Sequence, residues 1–303
     1  MLVVAALGGN ALIRRGESGD AASQRRNVAR AAAALVPIAR EHALVVTHGN
    51  GPQIGLLALQ SQLGGGAAAM PLDVLGAESE GMIGYLIEQE LTNLLPGRAV
   101  ATLLTRCIVD AGDPAFAAPT KPIGPVYRED EARRLAGERG WTVARDGAHF
   151  RRVVPSPEPR RIVEIETIRL LVANGVIVVC AGGGGIPVTI DDGGAMRGVE
   201  AVIDKDLASA LLAIALGADR LLLLTDMPAV YADWPAPARE PIAKATPEAL
   251  RARRFAAGSM APKVEAACRF VSATGRPAAI GALDDAGRLL AGGAGTQIAP
   301  EGA

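Results

Sequence analysis

Lysine is nearly absent from this chain. Of its 31 lysines plus arginines only four are lysine, Lys121, Lys205, Lys244 and Lys263, so arginine serves as the ordinary surface cation. A retained lysine then marks a place where a flat guanidinium fork will not do and a compact ammonium will. Aromatic residues make up 3 % of the chain, too few to form stacking platforms for bases or sugars. Cys107, Cys180 and Cys268 are scattered with no C-x-x-C pair, which argues against a zinc or disulfide framework and suits a reducing cytoplasm. A net charge of −1 and a pI near 6.3 leave no basic footprint for nucleic acid. No apolar run reaches the roughly 18 residues of a membrane span. The first, Leu2–Leu7, is too short for a signal peptide core and has no basic segment before it. Three histidines, His42, His48 and His149, show no Ser-His-Asp order, and Ser259 is not in a G-x-S-x-G elbow, which argues against nucleophilic hydrolysis.

With 303 residues, half of them hydrophobic, the chain can bury a large core. Short apolar runs at Leu2–Leu7, Ala43–Thr47, Ala99–Leu104, Val176–Cys180, Arg220–Leu224 and Pro277–Ile280 read as strands covered on both faces. Helical stretches at Ala21–Glu41, Val74–Leu95, Glu164–Asn174, Asp204–Leu216 and Val264–Thr274 alternate with them. The pattern predicts an α/β three-layer sandwich with a mostly parallel central sheet, a single domain over 1–303. Residues 112–159 break the rhythm. They are rich in Pro and Arg and hold Trp141 and Phe150, and they read as a small inserted subdomain, a flap over the site.

Ligands of open α/β sheets bind beyond the carboxyl ends of the strands. Here those ends carry Gly8-Gly9-Asn10, His48-Gly49-Asn50-Gly51, Gly182-Gly183-Gly184-Gly185 and Thr225-Asp226. Glycine lets backbone N–H groups approach an anion, and a following helix N-terminus adds positive potential. Lys121, Lys205 and Lys263 lie in Pro119-Thr120-Lys121-Pro122, Asp204-Lys205-Asp206 and Ser259-Met260-Ala261-Pro262-Lys263, whereas Lys244 has no such surroundings. Lys205 falls in a helix's first turn, where a cation opposes the dipole unless an anion is bound. Together these features point to a polyphosphate. The P-loop, Rossmann and protein-kinase fingerprints are all missing, so any phosphate is held by another arrangement.

These residues resemble the carbamate kinases of the amino-acid-kinase superfamily over essentially the whole chain. The resemblance runs through Ala6-Leu7-Gly8-Gly9-Asn10, Thr47-His48-Gly49-Asn50-Gly51-Pro52-Gln53 and Met82-Ile83-Gly84-Tyr85. It continues through Pro119-Thr120-Lys121-Pro122, Val154-Pro155-Ser156-Pro157, Asp204-Lys205-Asp206 and Gly258-Ser259-Met260-Ala261-Pro262-Lys263. It implies reversible phosphoryl transfer between ATP and carbamate, giving ADP and carbamoyl phosphate. It also implies Mg²⁺ carried by the nucleotide with no protein metal site, a homodimer, and a place in arginine metabolism. Another small-acid kinase of the superfamily, or a nucleotide-binding sensor without activity, are the alternatives. The Thr-Lys-Pro segment opposes the first, and Lys205, Asp206 and Lys263 oppose the second.

By the same resemblance Lys205 and Lys263 act on the moving phosphoryl group, and Asp206 orients them. Lys121 closes over the small substrate. Gly8, Gly9, Asn10, Gly49, Asn50 and Gly51 cradle the phosphate, the glycines through their amides. Gly182, Gly183, Asp226, Tyr231 and Met260 meet the nucleotide. Asp206 is expected to be an exposed helix-start charge of little weight in stability. Glu78 and Glu80 stand where uncharged polar residues are expected, and their charge is expected to alter local packing or an interface.

Overall fold

The computed structural model describes residues 1–9, 20–63, 70–232, 240–255 and 260–302. Among these, eight strands form the central sheet. Their order is Lys244–Ala245, Thr296–Ile298, Ala278–Ala282, Arg220–Thr225, Leu2–Leu7, Ala43–His48, Ile177–Val179 and Val100–Thr102. Within this sheet only the pairing of Ala278–Ala282 with Thr296–Ile298 is antiparallel. Leu2–Leu7 lies at the centre, with Val4 level with Leu221 on one side and Val45 on the other.

Successive side chains of these strands point to opposite faces, and both faces are covered. Val4, Ala6, Val45, Leu221 and Leu223 pack with Leu212 of the helix Lys205–Leu216 and Phe270 of the helix Met260–Thr274. Val3, Ala5, Leu7, Leu44 and Leu222 pack with Leu35 of the helix Ala21–Glu41 and Ile83 and Ile87 of the helix Leu72–Leu94. The six expected strands are therefore all present in a mostly parallel, doubly covered sheet. The short strands Lys244–Ala245, at one edge, and Thr296–Ile298, next to it, were not anticipated; two or three residues carry no readable periodicity. No helix among the described residues is long and apolar enough to cross a membrane.

Two smaller sheets flank the core. One orders Met196–Gly198, Ile186–Ile190, Arg106–Ile108 and Arg161–Ile162. The other orders Lys121–Tyr127, His149–Val154 and Thr142–Asp146, with the helix Glu129–Arg139 packed on it. This second sheet has its own apolar cluster of Tyr127, Ala132, Leu135 and Trp141, with Phe150 against it. Trp141 also lies beneath two guanidinium groups, Arg139 at 5.1 Å and Arg152 at 5.0 Å from the ring centroid. The sheet docks on the helix Gly51–Leu63, where Gly124 meets Gly55 backbone to backbone. A β-carbon on Gly55 would fall 2.0 Å from the Gly124 backbone, and Gly124 itself has φ +71°.

Candidate active site

Four central strands run parallel, so their carboxyl ends open on one rim. Leu2–Leu7 delivers Gly8 and Gly9 there, and Ala43–His48 delivers Gly49 and Asn50. Ile177–Val179 leads to the tight turn Gly182–Gly184, and Arg220–Thr225 to Asp226. The first two turns touch: a β-carbon on Gly49 would sit 3.0 Å from the Gly9 nitrogen. Two of the expected amides are engaged elsewhere. Gly8 N–H donates to the Leu224 carbonyl at 2.9 Å, and Gly49 N–H to that of Leu7 at 3.1 Å. This corrects the expectation that both amides face a ligand; glycine at these positions serves close approach of chain to chain. Asn10 and Ser259 lie outside the described residues.

Lys205, Asp206 and Lys263 meet below this rim and are all buried. Lys205 opens one helix and Lys263 lies in the first turn of another, so two helix N-termini converge there. Asp206 bridges the lysines. Its Oδ2 accepts from Lys263 Nζ at 3.0 Å, and its Oδ1 lies 2.7 Å from Lys205 Nζ. The two lysines thus share one carboxylate, one on each oxygen. Asp206 is thus no exposed helix-start charge; it is the buried counter-ion of two ammonium groups, which corrects the expected small weight in stability.

The electrostatics follow from this packing. Burial alone would raise the Asp206 carboxyl, but Lys205 and Lys263 outweigh it and hold the group well below the usual carboxylate range. Burial lowers Lys205, which Asp206 offsets only in part and the charge of Lys263 reinforces. Lys263 is also opposed by burial, but Asp206 prevails and raises it. The helix carrying Lys205 is tied to the strand Ala43–His48 through Thr47 Oγ1 and Ser209 Oγ, 2.6 Å apart; Ser209 in turn donates to the Lys205 carbonyl.

Lys121 reaches the same place from the small three-stranded sheet, its Nζ 2.5 Å from Asp204 Oδ2. The structure therefore gathers three of the four lysines. The fourth, Lys244, is exposed in an edge strand.

The glycine turn is a floor. Gly182 and Gly183 are buried, and Gly182 N–H is donated to Glu80 Oε1 at 2.8 Å. A β-carbon on Gly183 would lie 2.2 Å from Asn50 Nδ2, and that amide donates to Ser79 Oγ at 2.8 Å. Gly182 and Gly183 were expected at the nucleotide, yet the Gly182 amide is taken and both glycines are packed against side chains. Asn50 likewise braces the turn from below. Asp226 is exposed beside Thr225, whose hydroxyl donates to it at 3.1 Å, and its charge reaches Lys263. Met260 starts the Lys263 helix and rests against the main core, while Tyr231 pairs with Pro241 in an isolated bridge.

Sequence reasoning missed how Glu80 is used. It is buried on the helix Leu72–Leu94, and its two oxygens accept from the Gly182 and Thr105 amides. Burial pushes its carboxyl up to about 8 against the pull of both N–H groups. The signal was available: Glu80 lies on the same face as Gly76, Ile83, Gly84 and Ile87, the buried stripe of that helix. His48, beside the same turn, is lowered to about 4 chiefly by burial. Gln53, in the first turn of the helix Gly51–Leu63, is buried with neither amide atom hydrogen-bonded among the described residues. Sequence had singled it out only as part of a motif.

The model of the amino acid kinase family matches residues 1–282. A carbamate kinase from Haemophilus influenzae is 54 % identical over 299 residues, covering 98 % of this chain and 96 % of that protein. The solved carbamate kinase of Giardia lamblia bound to citric acid superposes with a TM-score of 0.93 at 41 % identity, covering 99 % of this chain and 98 % of that one. The same enzyme bound to AMP-PNP superposes at 0.89, again at 41 % identity over 99 % and 98 % of the two chains.

Proposed function

The chain belongs to the amino acid kinase family, among its carbamate kinases, and on that premise we propose that its buried lysine–aspartate cluster moves a phosphoryl group between carbamoyl phosphate and ADP, giving carbamate and ATP, and the reverse. The observation that carries this reading is the Lys205 ammonium: buried at a helix N-terminus, beside a second lysine, with one carboxylate shared between the two. Such a group is set up for a transferring phosphoryl oxygen. Phosphoryl transfer asks for in-line placement and charge neutralisation, with little covalent work by protein. Lys205 and Lys263 supply the charge. Asp206 fixes both ammonium groups so that they need not reorganise during transfer.

The amides of Gly9 and Gly51, with Asn10, are the candidates to hold the phosphoryl group. Asp226, Tyr231 and Met260 are the candidates at the nucleotide; that this chain binds one is supported by the Giardia relative, solved with AMP-PNP. The segment 112–159 is the flap that brings Lys121 over the small substrate and excludes water, which protects a labile acyl phosphate. Mg²⁺ would come bound to the nucleotide, held by its phosphates and water. Such an ion would offset negative charge on those phosphates.

Two further readings belong with this one. A homodimer would cover Val74, Met82 and Tyr85, exposed on the helix Leu72–Leu94, and Leu104 nearby. Three buried free thiols suit a reducing cytoplasm, where arginine metabolism would place the enzyme. The deciding assay is ATP formation from ADP and carbamoyl phosphate by the purified protein. Turnover is expected; ADP binding without turnover would mean a sensor. Phosphorylation of another small acid with no use of carbamoyl phosphate would mean a different kinase.

A further inference from the structure

The insert reaches the cation cluster through Lys121, and Lys121 ends on Asp204. This aspartate does two jobs with its two oxygens. Oδ1 accepts the Asp206 and Leu207 amides at 2.9 and 3.2 Å, capping the helix that begins with Lys205. Oδ2 takes the Lys121 ammonium at 2.5 Å. The pair is partly shielded, with 27 % of the lysine side chain and 14 % of the aspartate side chain exposed. The surroundings fasten the same joint. Val202 donates to the Pro155 carbonyl at 2.9 Å, and Val202 and Ile123 pack in one apolar cluster with Ile54 and Leu72. The charge of Asp204 also favours the ammonium forms of both Lys205 and Lys263.

Capping alone does not require this residue. Asn or Ser accepts a first-turn amide as well as Asp does. Holding an ammonium group from another sheet in a fixed place does require the negative charge. Resting on the phosphoryl-transfer reading above, we propose that Asp204 is a positioning residue. Its carboxylate sets Lys121 in register with Lys205 and Lys263, so that the insert and the two helix N-termini present carbamoyl phosphate with one preassembled set of cations.

Asp204→Asn separates the two jobs, because it keeps the cap and removes the charge. The KM for carbamoyl phosphate is expected to rise on the order of 10-fold, the scale of one lost charge-assisted hydrogen bond. ADP affinity by calorimetry and the melting temperature should stay near those of the unmodified enzyme. Lys121→Ala should show a loss of similar size, and the double variant should lose little more than either single one. An unchanged or lowered KM in Asp204→Asn overturns the proposal, as do fully additive losses in the double variant. Hydrogen exchange without any substrate keeps this test apart from the activity itself. Amides of Lys121–Tyr127 should exchange faster in Asp204→Asn, while those of Asp206 and Leu207 stay protected. Unchanged exchange in that strand overturns the tie even if the enzyme proves to act on another acid. If the unmodified protein forms no ATP, the functional reading fails and the exchange result still decides the role of Asp204.

Discussion

Asp206 and Glu80 are both buried carboxyl groups near one rim of one sheet, and they are driven in opposite directions. Asp206 has ammonium groups on both sides and stays ionised far into acid. Glu80 has uncharged donors, the backbone N–H groups of Thr105 and Gly182 and the Thr105 side chain, and is pushed up to about 8. Neutral dipoles offset part of the cost of burying a charge; two full charges overcome it. Moving a carboxyl from 4.5 to about 8 amounts to roughly 5 kcal/mol of preference for the neutral acid. The acid that must stay ionised to hold cations has ions beside it. The one that pins a glycine turn can take up a proton near neutral pH.

The largest effect should come from breaking the charged side of this contrast. Asp206→Asn leaves two buried ammonium groups without their counter-ion. Turnover should fall at least ~10-fold, a barrier increase of roughly 1.4 kcal/mol. Stability should fall as well, by about 3–5 kcal/mol, as for other buried pairs cut on one side. Activity assays beside urea denaturation decide it. Normal turnover in this variant would remove Asp206 from the mechanism.

Lys263→Arg tests whether Asp206 needs point charges or merely positive ones. The wider fork cannot take the ammonium's place in a buried cluster, so most turnover should be lost, on the order of 10-fold or more, with the fold retained. Near-normal rates with the melting temperature preserved would show that shape does not matter there.

Glu80→Gln tests the other side through pH. In the unfolded chain Glu80 titrates near 4.5 and in the fold at about 8. Between those values the fold holds the extra proton, so stability falls as pH rises. His48 runs the other way: ordinarily near 6.5 and about 4 in the fold, it contributes stability above 6.5 that is lost as pH falls toward 4. From 4.5 to 6.5 the two slopes oppose each other, and from 6.5 to 8 Glu80 acts alone of the pair. Urea denaturation should show a loss of about 2 kcal/mol across that upper window. In Glu80→Gln the slope should vanish, leaving a constant offset of about 1–3 kcal/mol for one amide without its acceptor. The same slope in the variant would place the proton elsewhere.

Lys244→Ala should do least. Lys244 is exposed and distant from the cluster in sheet order, so stability should move by less than about 0.5 kcal/mol and turnover not at all. A turnover loss here would undo the division between gathered and ungathered lysines.

Much of the sheet was legible because its strands are covered on both faces and so appear as unbroken apolar runs. Thr296–Ile298 is only three residues long, and the strands of the four-stranded sheet are short, with pairing partners far along the chain for Arg106–Ile108. The scarcity of lysine drew attention to Lys121, Lys205 and Lys263 before any fold was known. Composition could not show which amides are already taken. Gly8 donates to Leu224, a partner more than two hundred residues away. Nor could a helix-start position show that Asp206 is buried, because that depends on the Met260–Thr274 helix delivering Lys263 opposite it. Glu80 stood out as an unexpected charge, but its use depends on the turn that folds against it.

The contact of Gly55 with Gly124 limits how this enzyme can vary. Alanine at Gly55 puts its methyl group into the Gly124 backbone, which cannot swing aside as a side chain can, and alanine at Gly124 would have to hold φ +71°. Divergent relatives could lengthen, recharge or decorate the outer strand Thr142–Asp146 with little consequence at this seam. The two glycines must be kept, or change together with a displacement of the whole insert. Sequence drift in the insert should therefore be graded, slowest where it meets the helix Gly51–Leu63 and fastest at its outer edge.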